Sequence, residues 1–218
     1  MDPTMQQGEK VWVNKMVIGP RIYTGFNFDT DTLSCFRIPG FRKMRVGDIA
    51  LFNYPRGWTE EKIGFKINYV YAKRCVGTPG DSVWISDSRY HNSRVKDIGV
   101  PEINENLLAH TDDNDLIKNG VFYAGYYAGK SDTWTIKEFG PVLVPKAGMS
   151  IQLSDDNLLL FKDVVEYETK QSINEWNGKT YVFKGNYYFF AGDNVLDSKD
   201  SRYFGFVPED FVIGIIKR

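Results

Sequence analysis

Short stretches of alternating apolar and polar residues dominate the chain, and Gly, Pro, Asn and Asp separate them. Alternation with a period of two is typical of strands that bury one face. The pattern predicts strands at residues 10–18, 48–54, 67–77, 82–86, 133–145 and 211–218. The strand at 82–86 is expected to continue a meander from the strand before it. The chain is therefore predicted to be mainly β.

Three segments suggest other local structure. Residues 103–110 predict a short helix, and residues 148–169 predict a strand followed by a helix. That second helix is expected to have Asp155 or Asp156 as its cap and an apolar stripe formed by Leu159, Leu160, Val164 and Val165. Residues 179–194 predict a hairpin that turns at Lys184-Gly185-Asn186.

The middle of the chain differs in composition and in predicted structure from the segments on both sides. Residues 87–180 are more charged, more helical and less regular than the segments around them. We interpret them as an insertion between two halves of one β core, formed by residues 1–86 and 181–218. The expected fold is a core of antiparallel strands with a large mixed insertion.

Composition narrows the classes of function. The chain has 218 residues, a net charge of −1 and only two cysteines and two histidines. The balanced charge implies no bulk attraction to nucleic acid. The cysteines form neither a disulfide framework nor a zinc motif, so we expect no metal and no cofactor. No apolar run is long enough to span a bilayer.

Lys73 is the first candidate for chemistry, because it lies on a strand face that is otherwise apolar or aromatic. The other members of that face are Ile67, Tyr69, Tyr71 and Cys75. Most strand lysines are exposed and protect an edge against pairing. A lysine enclosed by such neighbours would instead have a lowered pKa and could act as a general base. The strand pattern alone leaves both interpretations open.

Two further segments are candidates. In "AGDNVLDSKDSRYFGFVPED" (191–210), Ser198, Asp200, Ser201 and Arg202 lie within five positions. A solvated loop with an exposed ion pair would explain them, and so would a rigid loop that orients a catalytic group. At the start, "MDPTM" (1–5) indicates a Pro-Thr turn or a frayed terminus.

Together these segments resemble, in order, the motif boxes of bacterial type I signal peptidases. These serine–lysine endopeptidases remove leader peptides from exported proteins. "MDPTM" is similar to their nucleophile box Ser-Met-x-Pro-Thr-Leu without its serine, and "VGDIALFNYP" (46–55) to a second box. "YAKRCVGTPGD" (71–81) resembles the general-base box, and "GDNVLDSKDSRYFGFVPE" (192–209) the last box. Residues 139–148 also look like Bacteroides-type signal peptidases.

The resemblance implies roles for individual residues. Lys73 would be the neutral general base, and Ser198 would orient it. The residues implied to be structural at the site are Asp193, Asn194, Asp200 and Arg202, with Arg74 also structural rather than catalytic. The partners would be preprotein signal peptides bound as extended strands with small side chains in two shallow pockets. The residues implied to line those pockets are Met1, Met5, Tyr71 and Ala72.

The resemblance also places the serine nucleophile directly before Met1, so the chain as given is expected to be inactive. It implies an N-terminal anchor that holds the parent protein at the periplasmic face of the inner membrane, whereas these 218 residues alone are expected to be soluble. We favour the interpretation that the chain is a truncated piece of a longer enzyme. The alternatives are a natural non-catalytic peptide-binding relative, or a substitute nucleophile such as Cys75 or Thr4.

Overall fold

The computed structural model describes residues 1–25, 33–57, 61–119, 121 and 134–217, and antiparallel strands dominate it. The strands are β1 (Trp12–Asn14), β2 (Arg21–Tyr23), β3 (Cys35–Arg37), β4 (Ile49–Asn53), β5 (Val70–Gly77), β6 (Ser82–Ser86), β7 (Arg89–Asn92), β8 (Phe139–Leu143), β9 (Ser150–Gln152), β10 (Thr180–Val182), β11 (Tyr187–Ala191), β12 (Val207–Pro208) and β13 (Val212–Lys217). The helices are α1 (Glu102–His110), α2 (Asp113–Lys118), α3 (Leu158–Thr169) and α4 (Ser201–Phe204). The expected mainly β fold is confirmed.

A six-stranded sheet forms the centre of the molecule, in the order β1-β13-β4-β5-β11-β12. β4 pairs with β5 along its length, from Ile49 opposite Arg74 to Asn53 opposite Val70. On the other side, β11 pairs with β5 only from Arg74 to Gly77, among the residues that the structure describes. The half of β5 that precedes Arg74 therefore has a strand partner on one side in these pairings.

Aromatic packing makes this sheet a rigid platform. Every residue of β11 is buried, and its sequence YYFFA supplies the large side chains that favour a doubly covered strand. The rings of Phe52 and Phe190 stack with centroids 4.4 Å apart, and Phe204 of α4 meets Phe52 edge-on. These ring contacts pack the sheet that contains β5 and β11 against α4, which follows the loop after β11.

A second, three-stranded sheet in the order β7-β6-β8 corrects the expected meander. β6 pairs with β7 and β8, not with β5. The turn between β5 and β6 causes this change of sheet, since the Asp81 carboxylate accepts hydrogen bonds of 2.7 Å from both the backbone N–H and the hydroxyl of Thr78. A turn that an Asp side chain closes in this way changes the direction of the chain, so β6 leaves the sheet that contains β5.

The predicted hairpin at 179–194 is wrong. β10 pairs with β9, whereas β11 pairs with β5 and β12. The expected turn exists, but Glu168 at the end of α3 holds it, because its carboxylate accepts the backbone N–H groups of Lys184 (2.8 Å) and Gly185 (2.7 Å). The turn therefore delivers the chain from one sheet to another.

The helix predicted within 148–169 is confirmed as α3, with two corrections. Its N-cap position is Asn157 rather than Asp155 or Asp156, and the Asn157 side chain accepts a hydrogen bond from the Ser154 N–H. Leu159 is 44% exposed, so the predicted stripe is shifted. The buried face consists of Leu158, Phe161, Val164 and Val165, a spacing that follows from a start at Leu158. The helix predicted at 103–110 is confirmed as α1.

The strands of the central sheet come from residues 12–77 and 187–217, while β6 pairs with strands that lie within residues 87–180. The division into a core and an insertion stays a prediction. The strands predicted at 10–18, 67–77 and 133–145 are shorter, so Ile67 and Tyr69 precede β5, and the predicted residues 133 and 218 lie outside the described residues. In the described part of the chain, no helix has the length and apolar character needed to cross a membrane, and no cluster of His, Cys, Asp and Glu is suited to a metal ion.

Candidate active site

β5 and the loop after β11 bring Lys73 and Ser198 into contact. The Lys73 ammonium nitrogen Nζ donates a hydrogen bond to Ser198 Oγ at 2.9 Å, across 125 positions of sequence. The Lys73 side chain is buried, with Nζ 5.8 Å from the centre of the Tyr71 ring. The two residues expected to form the core of the site are therefore adjacent.

Gly192 closes the space behind this pair. A Cβ atom at Gly192 would overlap the Ser198 side chain and lie 3.1 Å from Lys73 Nζ. Only glycine leaves room for the lysine–serine contact at this position. The Gly192 N–H also donates to the Asp200 carboxylate at 3.0 Å, which fixes the backbone beneath Ser198.

The environment of Lys73 lowers its pKa. Burial is the largest cause, because it removes water from the ammonium group. Asp200, Asp197 and Asp193 act in the opposite direction, and Arg202 adds to the lowering. Burial prevails, so the pKa of Lys73 lies below the usual lysine value and the neutral amine is easier to reach.

Asp200 and Arg202 form a fully buried ion pair under the loop. Two guanidinium nitrogens of Arg202 donate to the two carboxylate oxygens of Asp200, each at 2.9 Å. Burial alone would raise the pKa of Asp200, but the charge and hydrogen bonds of Arg202 outweigh it and hold that pKa below the usual range. Arg202 also donates to the Val195 carbonyl at 3.0 Å, so the pair ties the two ends of the loop together.

A second ion pair fixes the turn that precedes this loop. Arg74, next to Lys73 on β5, donates to both carboxylate oxygens of Asp193, at 2.8 and 2.7 Å. The Thr4 hydroxyl donates to the same carboxylate. The Asn194 carbonyl accepts the N–H of Asp197 at 3.2 Å and closes the turn. Arg74 thus binds a carboxylate rather than facing an open surface.

The N-terminal residues form a turn against this network. The Met5 N–H donates to the Met1 carbonyl at 2.9 Å. The pKa of the Met1 amino group is lowered, by burial first and then by the positive charge of Lys73. Met1, Met5, Tyr71 and Ala72, the residues expected to line substrate pockets, are all partly exposed.

Cys75 has the wrong environment for a nucleophile. Its side chain is fully buried, and its Sγ donates to the Gly77 carbonyl at 3.5 Å. Burial raises the pKa of the thiol well above its usual value, which suppresses the reactive thiolate. Thr4, the other alternative, donates its hydroxyl proton to Asp193 and not to Lys73.

Two residues at the site, Gly192 and Asn104, have roles that the sequence does not predict. Gly192 is the first residue of the last motif box, and only the packing behind Ser198 shows why a glycine is needed there. Asn104 of α1 donates to the carbonyls of Asp2 (3.1 Å) and Asp193 (2.7 Å). No local signal could reveal Asn104, because its partners lie 102 and 89 positions away.

The curated proteins that this chain resembles are described as signal peptidases. The chain is similar to signal peptidase I of Buchnera aphidicola subsp. Schizaphis graminum (28% identity, covering 77% of this chain and 51% of the relative) and of Buchnera aphidicola subsp. Baizongia pistaciae (27%, covering 98% and 64%). It is also similar to signal peptidase IB of Staphylococcus aureus (26%, covering 98% and 69%). The chain thus spans about half to two thirds of the length of these relatives.

Among solved structures, a signal peptidase I from Enterococcus faecalis V583 matches with 22% identity and a TM-score of 0.36, covering 81% of this chain and 98% of that one. The model of the family described as signal peptidase, peptidase S26, matches residues 1–218. Because that match extends over the whole chain, the protein belongs to the signal peptidase family, peptidase S26.

Proposed function

We propose that the full-length protein is a serine–lysine endopeptidase that removes leader peptides from exported preproteins. The observation that carries this proposal is the contact between Lys73 Nζ and Ser198 Oγ in a buried site that lowers the pKa of the lysine. A lysine of lowered pKa is suited to accept a proton from a hydroxyl near neutral pH. Family membership supports the same reaction class.

In the proposed reaction, neutral Lys73 takes the proton of a serine hydroxyl as the serine oxygen attacks the scissile carbonyl carbon. When the carbon–nitrogen bond breaks, the Lys73 ammonium returns that proton to the leaving amine. Lys73 then activates a water molecule that hydrolyses the acyl-enzyme. Ser198 holds Nζ in place throughout, and the Asp200–Arg202 pair holds the loop that carries Ser198.

The attacking serine is proposed to precede Met1 in the full-length protein. Support comes from the similarity of "MDPTM" to the nucleophile box and from the hydrogen bond of Thr4 to Asp193, a carboxylate that is also bound by Arg74, the neighbour of Lys73 on β5. The 218 residues alone would then lack the nucleophile and would not cleave peptides.

The substrate is proposed to bind as an added strand on β5. Residues Val70 to Lys73 have β4 on one side, and β11 pairs with β5 only from Arg74 onward, among the described residues. Free backbone groups beside a general base are what strand addition requires. Tyr71 and Ala72 would contact the peptide on this edge, and Met1 and Met5 would contribute to the shallow pockets.

The test begins with the codons upstream of Met1, which should encode a serine at the preceding position and an apolar anchor segment. The full-length product in detergent should cleave a leader-derived peptide. Lys73→Met should reduce kcat by several orders of magnitude. Lys137→Met is the control, because Lys137 is bound by Asp113 and Thr111 between α1 and α2.

The two results have separate meanings. An in-frame stop codon before Met1 with no serine encoded would exclude the peptidase and leave a peptide-binding relative, which titration with the same leader peptide would reveal. Full activity in Lys73→Met would exclude Lys73 as the base even if the serine is present.

A further inference from the structure

Asn104 connects two segments of the site that are far apart in sequence. Its side-chain amide has two N–H groups, and they donate to the carbonyl of Asp2 at 3.1 Å and to the carbonyl of Asp193 at 2.7 Å. Asp2 belongs to the N-terminal turn. Asp193 belongs to the turn next to Gly192, which packs against Lys73 and Ser198. One side chain therefore holds both walls of the site.

The helix that carries Asn104 is well anchored. The Asn104 N–H donates to the Pro101 carbonyl at 3.1 Å in the first turn of α1. The next residue, Glu105, is buried and accepts the backbone N–H of Tyr90 on β7 at 3.0 Å. Leu108, one turn further, is 1% exposed. Asn104 is thus presented from a rigid element, which precise positioning requires.

The N-terminal turn is held at a second point by the same network. The Thr4 hydroxyl donates to the Asp193 carboxylate, which also receives two hydrogen bonds from Arg74. Asn104 binds the backbone carbonyl of Asp2, before Pro3, and the side chain of Thr4 binds Asp193 on the other side of Pro3. Between these two contacts the turn has little freedom to rotate relative to Lys73.

We propose that Asn104 is a positioning residue that holds the N-terminal turn so that the residue joined to Met1 faces Lys73. This inference rests on the proposed function, since that residue is the proposed nucleophile. It also assigns a task to the segment 87–180, because α1 lies within it: one of its helices completes the alignment of nucleophile and base.

The first experiment uses the 218-residue chain and does not depend on peptidase activity. Hydrogen exchange of the Met5 amide reports the order of the turn, because that amide donates to the Met1 carbonyl. Asn104→Asp keeps the shape of the side chain but removes both donors. Loss of these hydrogen bonds should raise the exchange rate about fivefold to tenfold. Asn104→Ala should give the same result. If the alanine variant does not fold, the result for Asn104→Asp is the test.

Asn106→Ala is the matched control on the same helix, because its side chain contacts the exposed Arg89 instead of the turn. It should leave the exchange of Met5 unchanged. Unchanged exchange in Asn104→Asp would overturn the proposal. So would an equal increase in the Asn106 variant, since this would indicate general loosening of α1.

The second experiment uses the full-length protein. A misaligned nucleophile should lower kcat of Asn104→Asp at least tenfold with little change in KM, while Asn106→Ala keeps both. An equal kcat in Asn104→Asp would overturn the positioning role. If the wild-type protein shows no cleavage at all, the proposed function fails, and the exchange experiment still decides whether Asn104 orders the turn.

Discussion

Gly192 lies directly behind Ser198, with no space for a side chain between the two residues. The same position faces Lys73 Nζ, which donates to Ser198 at 2.9 Å. The Gly192 backbone, the Ser198 hydroxyl and the Lys73 amine therefore lie side by side. The geometry of the lysine–serine pair depends on the absence of one methyl group.

Gly192→Ala should displace Ser198 and separate it from Lys73. Because the added methyl group has no free volume in a buried site, we expect a loss of about 1–3 kcal/mol in the free energy of unfolding. The loss should be accompanied by a large decrease in kcat of the full-length protein. Urea denaturation and peptide cleavage measure the two effects. Gly25→Ala is the control, because among the described residues its Cβ would meet only the exposed Ser34 side chain, with the nearest atom at 3.2 Å. A Gly192→Ala protein with normal kcat would show that the contact is dispensable.

Lys73 should make stability depend on pH in a defined window. Its folded pKa is lowered, so the unfolded chain binds more protons between that pKa and the usual lysine value of about 10.4. This group therefore destabilises the fold at low pH and ceases to do so as the pH rises through the window. Lys73→Met should gain stability relative to wild type at pH 6, and the gain should shrink toward pH 10.

Urea denaturation of both proteins across this range measures the difference. The loss of the Ser198 contact adds a constant offset, so the prediction concerns the slope. A difference that stays constant from pH 6 to 10 would contradict the lowered pKa.

Local sequence patterns predict the strands near the site and the helix α1, because the periodicity of apolar residues is set by neighbouring positions. They could not predict strand partners. The 184–186 turn looked like a hairpin, but the Glu168 carboxylate, distant in sequence, decides where the chain continues. Lys73 stood out because its strand neighbours are apolar, whereas Asn104 looked like any helix residue.

Cys75 should be inert toward alkylation in the folded protein. It is fully buried and burial raises its thiol pKa, so little thiolate forms and reagent has no access. Cys35 is the internal comparison, because it is only partly buried. Iodoacetamide at pH 8 followed by peptide mass spectrometry should label Cys35 first and Cys75 only after unfolding. Rapid labelling of Cys75 in the native protein would reopen its candidacy as a nucleophile.

Glu168→Gln should destabilise the turn between β10 and β11. The carboxylate accepts the hydroxyls of Tyr181 (2.6 Å) and Tyr187 (3.0 Å) as well as two backbone N–H groups. A neutral amide has one acceptor oxygen, so some donors lose their partner, at a cost of about 2–4 kcal/mol. Denaturation measures this cost. The exposed Glu175→Gln should change stability by less than about 0.5 kcal/mol. Equal stability of the two variants would contradict the anchoring role.

Asp200→Asn should be severely destabilising, because it leaves the Arg202 guanidinium buried beside a neutral amide. Removing one partner of a buried pair costs about 3–5 kcal/mol. The folded pKa of Asp200 is lowered, so the stabilising contribution of its charge is present above the unfolded value of about 3.9 and is lost as pH falls through the folded pKa. The difference between wild type and Asp200→Asn should therefore be full at pH 7 and should narrow below about pH 4.

The matched control is Asp115→Asn, which alters the exposed pair between Asp115 and Lys118 at 3.6 Å. It should change stability by no more than about 0.5 kcal/mol, since exposed pairs are well solvated. Urea denaturation at pH 7 and pH 3 gives both comparisons. If Asp200→Asn costs as little stability as the control, the loop that carries Ser198 is held by its backbone contacts. The Asp200–Arg202 pair would then have no part in placing Ser198 against Lys73.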